Sequence, residues 1–138
     1  MNMLTKHPSP PPRQAGFTLM EVLVACAIVG ILTAVALPSY KSYVTKGKRG
    51  AAQAMMMDIA NREEQFLMAN RNYADKNALV AGGFGLPANV AINYNWDVVV
   101  AAGTVPGYTI TFTAINSQLP DGNLTLDSAG VKGPAGKW

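Results

Sequence analysis

The chain has 138 residues, enough for one small domain beside a hydrophobic segment. Its formal net charge is +3. Without Lys6 and Arg13, which lie near the N-terminus, the chain has nine basic and eight acidic side chains, a net charge of +1. The net charge therefore says little about a nucleic-acid partner. His7 and Cys26 are the only residues of their types, which excludes an intrachain disulfide, a zinc site built from His and Cys, and a Cys–His catalytic pair.

The first predicted element is an apolar segment from Phe17 to Leu37, which follows a polar, proline-rich leader. As an α-helix it would extend about 30 Å, which matches the hydrocarbon thickness of a membrane. A secretory signal peptide carries its small-residue cleavage site after the apolar region, whereas Gly16 stands before it. Cleavage after Gly16 would therefore leave the membrane segment on the product and create a new α-amino group at Phe17.

Glu21 is the single charge in this apolar segment. A charge at the centre of a membrane helix costs about 2.5–3.5 kcal/mol on insertion scales, so we expect this carboxylate to have a partner. An amine at Phe17 would lie one helical turn away, and the helix dipole favours a carboxylate in the first turn. If the amine belonged to a neighbouring chain, the same attraction would select a register between subunits. Glu21 is therefore predicted to be a docking residue.

The run Gly16-Phe17-Thr18-Leu19-Met20-Glu21-Val22-Leu23 resembles the N-terminus of type IV pilins, the class III prepilins. The resemblance implies that a dedicated prepilin peptidase cleaves after Gly16 and methylates the new amine of Phe17. It also implies that Glu21 pairs with the N-terminus of an adjacent subunit.

Pro38 follows the apolar segment and removes one backbone donor, so we expect a kink or a local break in the helix there. The family carries a proline at the matching position, and its helix is locally unwound upstream of it in assembled filaments. The resemblance thus implies some melting between Gly30 and Pro38, and we assign Pro38 to subunit assembly.

Four cations come directly after this segment: Lys41, Lys46, Lys48 and Arg49. Counted by the positive-inside rule, they would place the C-terminal domain in the cytoplasm. The resemblance implies the reverse, with the leader cytoplasmic and the domain outside, and we follow it because the cleavage context is the more specific signal. Lipid headgroups, acidic neighbours and solvent all remain possible surroundings for these cations.

Residues from Tyr40 to about Asn70 contain no proline and many good helix formers, so they predict a second half of the helix. Apolar residues recur at spacings of three, four and seven and predict a buried stripe, with Asn61, Arg62 and Glu63 off it. The stripe consists of Ala52, Met55, Met56, Ile59, Phe66 and Leu67. This half extends the resemblance to the PilE-type subgroup through Arg49, Ala52, Met56, Ile59, Glu63-Glu64, Phe66 and Tyr73.

The stretch after Tyr73 holds Gly82, Gly83, Gly85 and Pro87, which predict an irregular loop. Alternating apolar residues then predict three strands, around Tyr94–Val100, Tyr108–Phe112 and Leu124–Leu126, and a fourth after the turn that ends at Gly130. Such a sheet with one apolar face needs a cover, which the amphipathic helix offers.

The C-terminal stretch resembles the family's ending, in which a Leu-Thr-Leu-Asp-x-x-Gly strand and turn lead to a terminal Cys-Trp. The turn is present as Leu124 to Gly130, and Trp138 closes the sequence. Asn123 and Lys137 stand near the positions where the resemblance implies cysteines. Since a disulfide closing such a loop contributes about 2–4 kcal/mol, packing of Trp138 is expected to substitute for it unless the tail is mobile.

The predicted fold is therefore α+β, a long N-terminal helix, transmembrane in its first half and amphipathic in its second, packed on a three- to four-stranded antiparallel sheet. The resemblance implies a removed leader over residues 1–16, a transmembrane and assembly helix over 17–38, and a periplasmic or extracellular globular domain over 39–138.

The predicted function is that of a structural subunit of a type IV pilus and not that of an enzyme. Asp97, Asp121 and Asp127 lie in strand or turn contexts without a paired arrangement, so no catalytic residue, cofactor or metal is expected. The resemblance implies the prepilin peptidase, other pilin subunits, the assembly platform and motor, and the inner membrane as partners. It also implies a single-pass inner-membrane protein that later joins an extracellular pilus.

Two alternatives keep this architecture and change the role. A pseudopilin of type II secretion would share the N-terminus, but its calcium loop is dense in Asp and the stretch from Asp121 to Asp127 is sparse. A minor pilin that serves adhesion or binds DNA would need an exposed basic patch, for which Lys132, Lys137 and Trp138 are the candidates.

Overall fold

The computed structural model describes residues 16–138, and the leader predicted over residues 1–16 lies almost entirely outside them. The chain divides into two compact units at the boundary between Ser39 and Tyr40. Its elements are α1 (Leu19–Asn70), α2 (Lys76–Ala81), α3 (Ala88–Ala91), β1 (Tyr94–Val100), β2 (Tyr108–Ala114), a 3₁₀ helix (Asn116–Asp121), β3 (Leu124–Asp127) and β4 (Lys132–Gly133).

The part of α1 before Tyr40 is apolar on all sides and makes no buried contact in the described chain. Leu19 is 82% exposed, and its large apolar neighbours as far as Leu37 are exposed as well. By length and composition, α1 is the one helix among residues 16–138 that could cross a membrane. An all-apolar helix surface of this kind is stable only in lipid or against other apolar helices.

The sheet of the second unit is antiparallel throughout, with the strand order β1-β2-β3-β4. Trp96 lies opposite Phe112 on β2, and Ile110 lies opposite Leu126 on β3. The outer edge of β1 is partly occupied, because Lys76 Nζ donates a hydrogen bond of 2.9 Å to the carbonyl of Trp96. Such a capped edge is a poor template for pairing with another strand.

The core lies between one face of the sheet and the C-terminal part of α1, as the sequence predicts. Ala52, Met56 and Ile59 are fully buried on the helix side. They belong to one cluster with sheet residues that alternate along the strands, namely Val98, Ile110, Phe112, Leu124 and Leu126. The predicted α+β fold, with its amphipathic helical cover, is thereby confirmed.

Two details of the sequence prediction are wrong. The stretch after Tyr73 is not an irregular loop throughout, because it contains α2 and α3. Asp75 begins α2 as its N-cap, accepting a 2.8 Å hydrogen bond from the backbone N–H of Ala78, and Gly82 follows the helix. Glu63, predicted to lie off the buried stripe, is fully buried.

Candidate processing and assembly site

The N-terminus of α1 is built by a reciprocal cap between Thr18 and Glu21. The Thr18 hydroxyl accepts a 3.2 Å hydrogen bond from the Glu21 N–H, and the Thr18 N–H donates at 3.0 Å to Glu21 Oε2. The Thr18 hydroxyl also donates to Oε2 at 3.2 Å. This Thr-x-x-Glu capping box satisfies two backbone donors that the first turn of a helix leaves without partners.

The cap gives Glu21 a role inside its own chain beside the predicted role between chains. All three hydrogen bonds at this cap use Oε2 or the Glu21 N–H, and Oε1 makes no hydrogen bond to residues 16–138. One carboxylate oxygen therefore orders the helix start, and the other can still receive a donor from outside. The Thr-x-x-Glu spacing is the local sequence signal of this cap, and it is independent of the charge of Glu21.

Gly16 and Phe17 precede the cap and lie exposed. Phe17 is 88% exposed, and a Cβ atom built on Gly16 would meet nothing within 4 Å. Intrachain packing therefore does not require glycine at position 16.

Pro38 lies inside α1, which continues without interruption to Asn70. The helix is therefore not broken at Pro38 in the isolated chain, and the kink, the other expected outcome, stays a prediction. Hydroxyl groups of neighbouring turns donate to backbone carbonyls, from Thr33 to Val29 at 2.7 Å and from Ser39 to Val35 at 3.3 Å. Such bonds compete with the backbone ladder, so a weak point near Pro38 is built into the helix. Its melting in a filament stays a prediction.

The structure brings Gly16, Phe17 and Glu21 together at one helix end, whereas Pro38 belongs to a later stretch of the same helix. Cys26 is exposed within the apolar segment. Among residues 16–138, no group of three or more His, Cys, Asp or Glu side chains is placed to hold a metal ion.

Within the second unit, a partly buried ion pair joins the part of α1 after Tyr40 to the 3₁₀ helix. Arg49 makes a two-pronged contact with Asp121, in which Nε lies 2.7 Å from Oδ2 and Nη2 contacts Oδ1. Gln118, fully buried beside it, donates to Asp121 Oδ2 at 3.0 Å and to the carbonyl of Thr45 at 3.1 Å. The hydrogen bonds from Arg49 hold the pKa of Asp121 below its usual range, and the same contact raises the pKa of Arg49.

Glu63 fastens the segment after α1 back onto the helix. Its Oε2 accepts a 2.8 Å hydrogen bond from the backbone N–H of Ala74, while Oε1 has no partner among residues 16–138. Burial raises the pKa of Glu63, with smaller contributions from the charges of Glu64 and Asp75. Burial also raises the pKa of Tyr108 to about 12.

Hydrogen bonds and an aromatic ring hold the C-terminus where the resemblance implies a disulfide. Asn123 Oδ1 accepts from the Ala114 N–H at 3.0 Å, and the carbonyl of Lys137 accepts from Gln53 Nε2 at 2.7 Å. Trp138 is half-buried against the core, and its Nε1 donates to the carbonyl of Gly133 at 3.1 Å. Packing of Trp138 thus takes over part of the expected role of the disulfide.

Two family models match the chain. One, described as "Type IV minor pilin ComP, DNA uptake sequence receptor", matches residues 38–125. The other, described as "Prokaryotic N-terminal methylation motif", matches residues 11–37. Together they cover the capped helix start, the apolar segment and most of the second unit.

Curated relatives include pilins from several bacteria. The type IV major pilin protein PilE1 of Neisseria gonorrhoeae is 29% identical over 91% of this chain and 74% of its own length. The type IV major pilin protein PilA of Myxococcus xanthus is 29% identical over 67% of this chain and 40% of its own length. The fimbrial protein EcpC of Eikenella corrodens is 37% identical over 66% of this chain, and the matched part spans 58% of EcpC.

Proposed function

Because this chain belongs to the type IV pilin family, we propose that it is processed, stored in a membrane and assembled into a pilus through its N-terminal helix. The leader over residues 1–16 is removed by prepilin peptidase, which also methylates the amine of Phe17. Residues 17–38 then hold the subunit in the inner membrane, with the globular domain over 39–138 on its outer side. An assembly platform and motor transfer the subunit into an extracellular filament.

The observation that carries this proposal is the exposed apolar surface of α1 behind a capped, charged first turn. Burial of apolar surface stabilises by about 25 cal/mol per Å², so an exposed helix such as this one strongly favours lipid or other helices over water. In a helical bundle without water, an unpaired carboxylate is costly. Pairing of Glu21 Oε1 with the amine of a neighbouring Phe17 would remove that cost at one axial stagger only.

Two substitutions of Glu21 separate the cap from the charge pairing. Glu21→Gln keeps the capping box, because Gln serves at this position as well as Glu, but it removes the negative charge. Glu21→Ala removes both. We expect both variants to be cleaved and inserted in the membrane, yet to enter filaments at less than about a tenth of the wild-type amount, a loss worth about 1.4 kcal/mol or more. Glu64→Gln, an exposed acid elsewhere on α1, is the matched control.

Immunoblotting of sheared filaments and of membrane fractions measures both steps. Normal incorporation of Glu21→Gln together with failure of Glu21→Ala would assign the effect to the helix cap and overturn the pairing. Normal filaments from both variants would remove Glu21 from assembly altogether.

A second candidate function is that of a minor pilin that binds DNA, because the model matching residues 38–125 is described as a DNA uptake sequence receptor. Two cations lie over aromatic rings that are themselves half-buried, Lys76 at 5.2 Å from the Trp96 ring and Lys132 at 5.0 Å from the Trp138 ring. Cations beside stacking surfaces are the groups that bind phosphates and bases.

Binding of a labelled DNA duplex to the full chain in detergent micelles tests this second function. We expect salt-dependent binding that weakens several-fold in Lys76→Gln and Lys132→Gln. Absence of binding at low salt would dismiss it and leave the structural role untouched.

A further inference from the structure

The sequence contains one tripeptide of the form Asn-x-Ser/Thr, which is Asn123-Leu124-Thr125. In a chain that reaches the outer side of a membrane, this tripeptide is the acceptor motif for transfer of an oligosaccharide to the asparagine side chain. Asp121 stands two positions before the asparagine and adds a charged group that a transferase can bind. Three residues alone carry little weight, so the surroundings of Asn123 decide whether it can hold a bulky, solvated group.

Asn123 lies in solvent at the turn between the 3₁₀ helix and β3. It is exposed, whereas Asp121 before it and Leu124 after it are buried. The turn is made by Gly122, whose φ of 79° lies in the region that favours glycine. A glycan on Asn123 would therefore extend into water and would displace no core side chain.

The hydrogen bonding of Asn123 presents the atom that a sugar would join. Its Oδ1 accepts the 3.0 Å hydrogen bond from the N–H of Ala114, the last residue of β2. A backbone N–H can pair only with the oxygen of a side-chain amide, so this contact also settles which atom is Nδ2. Nδ2 makes no hydrogen bond to residues 16–138. The fold thus uses the oxygen of this amide and leaves its nitrogen available.

Transfer of a glycan to Asn123 would preserve this contact. The donor is an oligosaccharide joined to a lipid pyrophosphate. A bond forms between Nδ2 and the first carbon of the sugar, and the bond from that carbon to the phosphate oxygen breaks. The lipid pyrophosphate leaves with the electron pair of the broken bond, and Nδ2 gives up one proton to the transferase. The product is a secondary amide that retains Oδ1, so the N–H of Ala114 keeps its acceptor.

The folded second unit covers the hydroxyl that the motif requires. A Cβ atom built on Gly133 would lie 2.5 Å from Oγ1 of Thr125, so this hydroxyl lies against the backbone of β4. β4 is only two residues long and pairs with β3 at two positions. A transferase therefore has to bind the Thr125 hydroxyl before this short strand pairs.

From these observations we propose that Asn123 is a site of N-linked glycosylation, modified on the outer side of the membrane as the chain emerges and before β4 pairs with β3. The inference rests on the proposed function, because that function places the second unit outside. The glycan keeps the turn between the 3₁₀ helix and β3 in solvent. In a filament this turn therefore belongs to the outer surface.

The test is the intact mass of the full chain, purified from the membranes and surface filaments of the bacterium that produces it, with fragmentation of the peptide that contains Asn123. Asn123→Gln removes the acceptor. Thr125→Val replaces the required hydroxyl by a methyl group of similar size, whereas Thr125→Ser keeps a hydroxyl. The matched control is Asn95→Gln, at an exposed asparagine of β1 that has no hydroxyl residue two positions later.

We expect the wild-type peptide to carry the added mass of an oligosaccharide on Asn123. This added mass should be lost in Asn123→Gln and Thr125→Val and retained in Thr125→Ser and Asn95→Gln. Thr125→Val keeps the hydrogen bond between Asn123 and Ala114, so the test does not depend on the folding of Asn123→Gln.

Three results would overturn the site. An unmodified wild-type chain that begins at Phe17 and is present in filaments would overturn this inference alone. Added mass that persists in Asn123→Gln would place the sugar on another residue. A chain whose second unit stays in the cytoplasm would contradict the proposed function and this inference together.

Discussion

The two halves of α1 differ in whether their apolar side chains are buried within the chain. Before Tyr40 the helix is apolar all round and exposed, whereas after it a narrow stripe is buried under the sheet. The second half therefore finds its partner within the chain, and the first half must find it in another molecule. One continuous helix thus combines a folding element with an assembly element.

The largest expected effect on stability comes from truncating a buried apolar residue in the second half of α1, with an exposed residue of the first half for comparison. Ile59→Ala should destabilise the second unit by about 4 kcal/mol, because it leaves a cavity beneath the sheet. Ile31→Ala removes the same atoms from an exposed position and should leave the free energy of unfolding unchanged while weakening filament incorporation. Chemical denaturation of the full chain in micelles measures the first effect. Equal destabilisation by both substitutions would contradict the difference between the two halves of α1.

Breaking the ion pair between Arg49 and Asp121 is expected to cost about 2 kcal/mol, because a partly buried guanidinium would lose two charge-assisted hydrogen bonds. Asp121→Ala tests this, with the exposed pair of Arg62 and Asp58 as the control. Asp58→Ala should cost less than about 0.5 kcal/mol. A stability of Asp121→Ala close to that of Asp58→Ala would show that the 3₁₀ helix is not fastened by this contact.

The pH dependence of stability separates the two buried carboxylates. The pKa of Asp121 is lowered in the folded state, so its stabilising contribution is present above its usual value of 3.8 and is lost as the pH falls below it. The pKa of Glu63 is raised, so stability should fall as the pH rises from its usual value of 4.5 through the folded value. Glu63→Gln should remove that decline in a series of thermal unfolding curves. An unchanged decline would locate the responsible group elsewhere.

The smallest expected effect concerns the C-terminus. Trp138→Phe keeps an aromatic ring but removes the Nε1–H that donates to Gly133, which should cost about 1 kcal/mol. The comparison variant is Trp96→Phe, because the wild-type Trp96 ring packs on Phe84 with a centroid distance of 5.0 Å. Thermal unfolding of both variants measures the two losses of stability. No loss in Trp138→Phe would mean that the ring alone secures the tail.

The strands and the helix could be predicted because their apolar periodicities appear locally in the sequence. The alternation in Tyr94–Val100 and Tyr108–Ala114 is an example, since each residue's face follows from its neighbours. Two local signals were present but not used, the Asp75 cap of α2 and the Thr18–Glu21 capping box.

The remaining features depend on partners far away along the chain. Arg49 and Asp121 are 72 residues apart in the sequence. The N–H group that binds the buried carboxylate of Glu63 belongs to Ala74, which lies beyond the C-terminal end of α1. No local pattern encodes these contacts. At the candidate site the sequence predicts Gly16, Phe17 and Glu21 directly, because their chemistry is written in consecutive residues, whereas the fate of Pro38 depends on the assembled state.

The most direct test of the central claim is the intact mass and N-terminal sequence of the chain recovered from sheared surface filaments. The account predicts a chain that begins at Phe17 with a methylated amine. Recovery in abundance would indicate a major subunit, and recovery in traces a minor one. An unprocessed chain, retained in membranes and absent from filaments, would contradict the account.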